Sequence, residues 1–185
     1  MKLKNKISLL SFGLATMMLT LGNANAQTTQ KKEFNPNTTL KSWSRIIDSP
    51  NRFKILPKFN NQAVLDRETG LVWQKIPDSR PLPYNLSVQD CYEIDTGGRK
   101  GWRLATIEEI SSLIDPEQFD PALPENHPFF NVFRDNILFW SATNSAFDSR
   151  DAFTIKIDSG ELNTADKKTF LTHWCVRTGT SHAGY

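Results

Sequence analysis

Cys91 and Cys175 are the only cysteines of the chain, and what a lone pair can do is set by the compartment in which the chain folds. The N-terminal stretch "MKLKNKISLLSFGLATMMLTLGNANA" speaks to that compartment. Lys2, Lys4 and Lys6 lead into an apolar run from Ile7 to Leu21, which closes on Ala24-Asn25-Ala26, the small-x-small pattern of a signal-peptidase site. The run falls short of the roughly 20 residues that span a membrane, and Ser11, Thr16 and Thr20 dilute it. The sequence therefore predicts an exported protein that loses its first 26 residues. In an oxidising compartment an even cysteine count favours a disulfide. Closing a loop of roughly 85 residues stabilises by about 4–5 kcal/mol in the chain-entropy model. Two free core thiols are the alternative. A metal site is not expected, because cysteines so far apart lack ligand spacing and no C-x-x-C motif occurs.

Export also changes the charge argument. The chain carries 22 basic and 20 acidic side chains, and the signal takes three lysines and no acids, leaving 19 against 20. The mature chain is thus close to neutral, which removes any whole-protein case for nucleic acid or an anionic membrane as partner. The 159 residues that remain suit one domain with one core and hold no integral membrane segment.

The expected organisation is a signal over 1–26, a polar leader over 27–51, a domain over 52–178 and a tail over 179–185. In the leader, Trp43, Ile46 and Ile47 could form one helical turn that docks on the domain. "AVLDRETGLVWQK" reads as two short strands around a turn, with Asp66, Thr69 and Gly70 supplying turn chemistry and Trp73 an apolar face. Pro77, Pro81 and Pro83 then speak against regular structure until a helix begins near Ser87, its expected N-cap, with Val88, Cys91 and Tyr92 on its inner face. Thr106-Ile107-Glu108-Glu109 is a capping box that opens a second helix. Its apolar stripe is Ile107, Ile110, Leu113 and Ile114, and Pro116 ends it. "LFWSAT" (138–143, containing Trp140), "DAFTIKID" (151–158) and "TFLTHWCVR" (169–177, containing Trp174) read as strands, with a turn at Asp158-Ser159-Gly160-Glu161. Strands, two helices and strands again predict an α+β fold with an antiparallel sheet.

Candidate sites are weaker than the fold. Gly97, Gly98 and Gly101 precede a helix but fit neither the Walker nor the dinucleotide spacing. Trp102, Arg103 and Leu104 stand where open phosphate-binding amides would be needed. These glycines are expected to form turns. His127, His173 and His182 show no ligand pair at helical spacing, and no G-x-S-x-G or H-E-x-x-H occurs; no catalytic residue, cofactor or metal is assigned. The loop "IDPEQFDPALPENHPFF" gathers acids that a calcium ion could use, but it lacks a fixed ligand spacing. A solvated loop ordered by Phe119, Phe129 and Phe130 packing inward is expected instead. Arg99, Lys100 and Arg103 form a local basic set that could meet a sulfated or acidic glycan.

Taken in order, "RF" (52–53), "AVLDRETGLVWQK" (63–75), "TGGRKGWRLATIEEISSLID" after Cys91, "FWSAT" (139–143), "AFTIKIDSGE" (152–161) and "HWCVR" (173–177) resemble the Lcl C-terminal domain family. That family is named for the end domain of a bacterial collagen-like surface adhesin. The T-G-L-x-W-Q segment, the G-W-R-L-x-T helix start and the closing C-V-R carry the likeness; Ala105 stands where the family usually has proline. The resemblance implies a C-type-lectin-like fold, a small twisted antiparallel sheet flanked by two helices, with Cys91 on the first helix bridging Cys175 on the last strand. It also implies a non-enzymatic binding module at the periplasm or cell surface, for a glycan or an envelope protein. A structural subunit of an envelope assembly is one alternative. A formylglycine-generating-type enzyme, which shares a similar helix start and holds copper with a cysteine pair, is another. No collagen-like repeat occurs here, nor the E-P-N and W-N-D motifs of calcium-dependent lectins.

Overall fold

A computed structural model of the chain describes Ile47 and residues 51–132 and 137–179. The expected export signal, all of the expected leader but Ile47 and Asn51, and the tail from 180 lie outside the described residues.

Turn chemistry builds the first hairpin as the sequence predicts. Strands β1 (Phe53–Ile55), β2 (Ala63–Asp66) and β3 (Leu71–Gln74) form an antiparallel run, with Val64 opposite Trp73. At the β2–β3 turn the Asp66 carboxylate accepts from the Glu68 amide and the Thr69 hydroxyl, both at 3.0 Å. Asp66 is fully buried and receives two parallel bonds from the Arg52 guanidinium, at 3.0 and 2.9 Å. Arg52 also donates to the Ser112 carbonyl at 2.6 Å, so one buried pair ties the hairpin to the end of the second helix.

The remaining elements are β4 (Asp78–Leu82), α1 (Tyr84–Glu93), β5 (Arg103–Leu104), α2 (Ile107–Ser111), β6 (Leu138–Asn144), β7 (Asp151–Lys156), β8 (Leu162–Asp166), β9 (Leu171–His173) and β10 (Cys175–Thr178). The class is α+β, but the strands form two five-stranded sheets where one was expected. The first runs β1-β2-β3-β10-β5 and the second β4-β9-β6-β7-β8. Within the second, β6 and β9 pair in parallel; every other pairing is antiparallel. The expected single strand over 169–177 divides at Trp174: β9 belongs to the second sheet and β10 to the first. Trp174 is fully buried at this crossover, and its indole donates to the Gln74 carbonyl at 2.9 Å.

Three further expectations change. Pro81 does not stop strand formation, because β4 is an edge strand with an irregular register between Asp78 and Leu82, where a missing amide breaks no ladder. Helix α1 starts at Tyr84, with Pro83 at the cap position and Ser87 inside, fully buried. The Tyr84 amide donates to the Lys167 carbonyl at 3.0 Å, so a tertiary bond replaces the expected serine cap. The inner face is therefore Tyr84, Ser87 and Cys91, while Val88 and Tyr92 are exposed. Helix α2 keeps its capping box but ends before Leu113, which is still buried. The Leu113 and Ile114 amides bond to carbonyls three residues back, which tightens the last turn.

The first sheet is covered on both faces, and β3 shows how. Trp73 points into a cluster with Ile107, Ile110, Phe129, Phe139, Ile155 and Trp174, whereas Val72 points into another with Cys91, Trp102, Leu104, Trp140 and Cys175. Alternation along a strand buried on both sides therefore feeds two cores. Helix α2 closes the first core and α1 the second. Cys91 and Cys175 are joined in a disulfide, with Cα atoms 5.4 Å apart across a sequence separation of 84; it anchors α1 to β10.

Candidate functional site

The glycine-rich segment after α1 is built for shape. Gly97 takes φ 66°, and a Cβ there would lie 2.4 Å from the Phe59 carbonyl oxygen, so only glycine fits. Gly98 and Gly101 also have positive φ, at 71° and 85°. Trp102 is buried and its indole donates to the Arg99 carbonyl at 2.7 Å.

The three basic residues that follow have internal roles. Arg103 donates to both carboxylate oxygens of Glu109, at 2.7 and 2.5 Å. Glu109 also accepts the Thr106 amide at 2.9 Å while its own amide donates to the Thr106 hydroxyl. Burial pushes the Glu109 carboxyl up, but these bonds from Arg103 and Thr106 outweigh it and hold the group below its ordinary value. The Lys100 ammonium donates to the Glu93 carbonyl at 2.6 Å, at the C-terminal end of α1 where a cation suits the helix dipole. Arg99 lies 5.7 Å from the Phe59 ring centroid, and Arg177 lies 5.4 Å from the same centroid. The Arg177 Nε is buried without a partner.

A groove of about 600 Å³ opens beside this segment, within the range of ligand pockets. Its walls come from the turn before β2 (Asn61, Gln62), the end of β3 (Lys75, Ile76), the segment after α1 (Ile94, Asp95, Thr96) and Phe130. The local sequence explains each wall. A 3₁₀ turn at Pro57–Phe59 is followed by Asn60 and Asn61 at φ 51° and 58°, conformations that asparagine tolerates best after glycine. Gln62 accepts from the Gly97 amide through Oε1 at 2.8 Å, which aligns the two loops. Gln74 forms a fixed floor, donating to Thr96 Oγ1 at 3.0 Å and accepting the Cys175 amide at 3.1 Å. Phe130 is 56% exposed, held by its amide bond to the Lys75 carbonyl at 3.0 Å; the Lys75 ammonium sits 4.8 Å from its ring centroid. Among the described residues, the Asn61 amide, the Gln62 Nε2 and the Asp95 carboxylate have no side-chain partner.

Two other clusters gather carboxylates of the kind a metal ion would need. Asp78, Asp90 and His173 bring one ligand atom each within 4.8 Å of the others, and His173 is fully buried with Nε2 3.0 Å from Asp90 Oδ2. Arg80, however, bridges both carboxylates at 2.5 and 2.8 Å and stands where a cation would. A metal on Nε2 would also put the imidazole proton on Nδ1, which is buried without an acceptor. Burial pushes the Asp78 carboxyl up, yet the Arg80 bonds bring it below its ordinary value. The cluster locks β4, α1 and β9 together. In the acidic loop, Asp115, Glu117 and Glu125 line a second cleft with Arg52 and Glu68, but among the described residues three of the loop's carboxylates do not converge to ligand distance. His127 packs flat on Phe129, and burial lowers its pKa; His182 lies outside the described residues.

Sequence reasoning missed Asn61, Gln62, Asp95 and the exposed side of Phe130. It placed Phe119, Phe129 and Phe130 inward together, whereas Phe129 alone is buried and Phe119 is 76% exposed. The signal was available: neighbours in an extended segment point to opposite sides, so Phe129 inside puts Phe130 outside.

A family model described as the Lcl C-terminal domain matches residues 62–177. No curated protein matches the chain.

Proposed function

The chain belongs to the Lcl C-terminal domain family, and from that premise we propose that it is an exported, non-enzymatic binding module that recognises a glycan in the groove between Gln62 and Phe130. The observation that carries this reading is the groove itself: a fixed floor, an exposed aromatic ring and several polar side chains with open hydrogen-bonding capacity. Sugars need that mixture, apolar contact for ring C–H faces and planar polar groups for hydroxyls. Two helices, antiparallel-rich sheets and a bridge from the first helix to the last strand support the C-type-lectin-like assignment. The disulfide is compatible with export, and no helix among the described residues is long and apolar enough to cross a membrane. The two sulfurs are bonded to each other, which supports a binding module over an enzyme that needs a free cysteine pair for copper.

A glycan array tests this reading, with the expected result that binding is lost when Phe130 is replaced by alanine. Retention of no glycan would remove the proposal in favour of an envelope-protein partner or a structural subunit, which a pull-down from membranes would reveal. A second reading, a sulfated glycan held near Arg99 and Lys100, is favoured by one observation: the Arg99 and Arg177 guanidinium groups both approach the Phe59 ring, which brings two cations close together. Heparin retention at low salt that disappears in Arg99→Ala would establish it.

A further inference from the structure

The groove carries more information than its size. We infer that its ligand is an uncharged sugar bearing an acetamido group, an N-acetylated hexosamine unit; this rests on the reading of the groove as a glycan site.

Charge makes the first selection. Among the described residues, the groove's lining holds one cation, Lys75, and one anion, Asp95, and the two charges offset each other. A sulfate or carboxylate on the ligand would gain Lys75 and meet Asp95, with no net attraction to offset its lost hydration. The Lys75 ammonium is also placed over the Phe130 ring, which directs it along the aromatic wall. Arg103 is committed to Glu109 and Lys100 to the Glu93 carbonyl, so neither adds positive charge here.

Hydrogen-bonding type makes the second. Among the described residues, the Asn61 side-chain amide and the Gln62 Nε2 line the groove without a side-chain partner. A primary amide offers a donor and an acceptor in one plane, which matches the N–H and C=O of an acetamido group better than a lone hydroxyl. Asp95 accepts only, which suits a hydroxyl donor. Apolar shape makes the third. Phe130 is 56% exposed, so the part of its ring that Lys75 leaves uncovered can meet a sugar's C–H face, and Ile76 and Ile94 line the same groove, apolar surface that suits the acetamido methyl. A plain hexose would leave that surface uncovered and the Asn61–Gln62 pair incompletely matched.

Isothermal titration of the full chain with three probes tests this: an N-acetylglucosamine trimer, a glucose trimer and a heparin-derived sulfated oligosaccharide. The expected result is binding of the first, weaker by about tenfold or more for the second, a difference of 1.4 kcal/mol per decade. Phe130→Ala and Asn61→Ala should each weaken the first by about tenfold, with thermal unfolding showing that both variants fold. Equal or tighter binding of the glucose or sulfated probe overturns the inference and leaves the glycan reading standing. Binding of none of the three, nor of any glycan on an array, overturns both.

Discussion

The glycine turn from Thr96 to Thr106 and the groove it borders use similar residue types to opposite ends. In the turn, polar side chains are engaged: Arg103 with Glu109, Thr106 with Glu109, Lys100 with Glu93. Across the groove, the Asn61 side-chain amide, the Gln62 Nε2 and the Asp95 carboxylate have no side-chain partner among the described residues, around an exposed phenylalanine. The turn concentrates the charged residues that stand out in the sequence, and the groove gathers polar side chains that no local pattern marks. What separates them is whether each polar group already has a partner, a property of tertiary structure that residue type does not reveal.

That contrast predicts large stability effects on one side and small ones on the other. The largest should come from Gly97→Ala, which forces a Cβ onto the Phe59 carbonyl at positive φ. Strain and overpacking together should cost about 2–5 kcal/mol in urea unfolding. Gly98→Ala has equal need for a positive φ but meets nothing within 4 Å, so about 1–2 kcal/mol is expected. Equal losses at the two positions would mean that the close approach to Phe59 does not hold.

The capping box should give intermediate effects. Thr106→Ala is expected to cost about 1 kcal/mol. Glu109 adds a pH dependence. Its carboxyl ionises lower in the folded protein than its ordinary value of 4.5. Its contribution is therefore complete above the unfolded value and is lost as pH falls through the folded one. Thermal unfolding between neutral and acidic pH should show Glu109→Gln less stable at neutral pH, with the gap to the parent closing as the solution is acidified. A gap that widens toward acid would contradict the ion-paired assignment. The smallest stability effect belongs to the groove's aromatic wall: Phe130→Ala should stay within about 0.5 kcal/mol, since its ring is exposed, whereas Asn61→Ala puts alanine at φ 58° and should cost about 1 kcal/mol.

Local chemistry was legible in the sequence where it acts over a few residues. The Asp66–Gly70 turn, the Thr106–Glu109 box and the cysteine pair all stand where they were expected. Elements decided at a distance were not. Nothing near Trp174 says that the chain leaves one sheet there and joins another; that follows from packing against Trp73, Phe129 and Gln74. Strand β8 escaped notice because "LNTAD" has little apolar alternation and lies at a sheet edge. The groove was hidden for the same reason. Its walls come from positions 61 to 130, and no local pattern joins them.

If the groove and not the basic set of the glycine turn holds the ligand, substitutions in the two places should separate cleanly. Side-by-side titration of an N-acetylglucosamine trimer against the Asn61→Ala/Phe130→Ala and Arg99→Ala/Lys100→Ala double variants distinguishes them. A loss of about tenfold or more is expected for the first and a change under about twofold for the second. Binding that survives in the groove variant and collapses in the basic one would contradict the groove as the site.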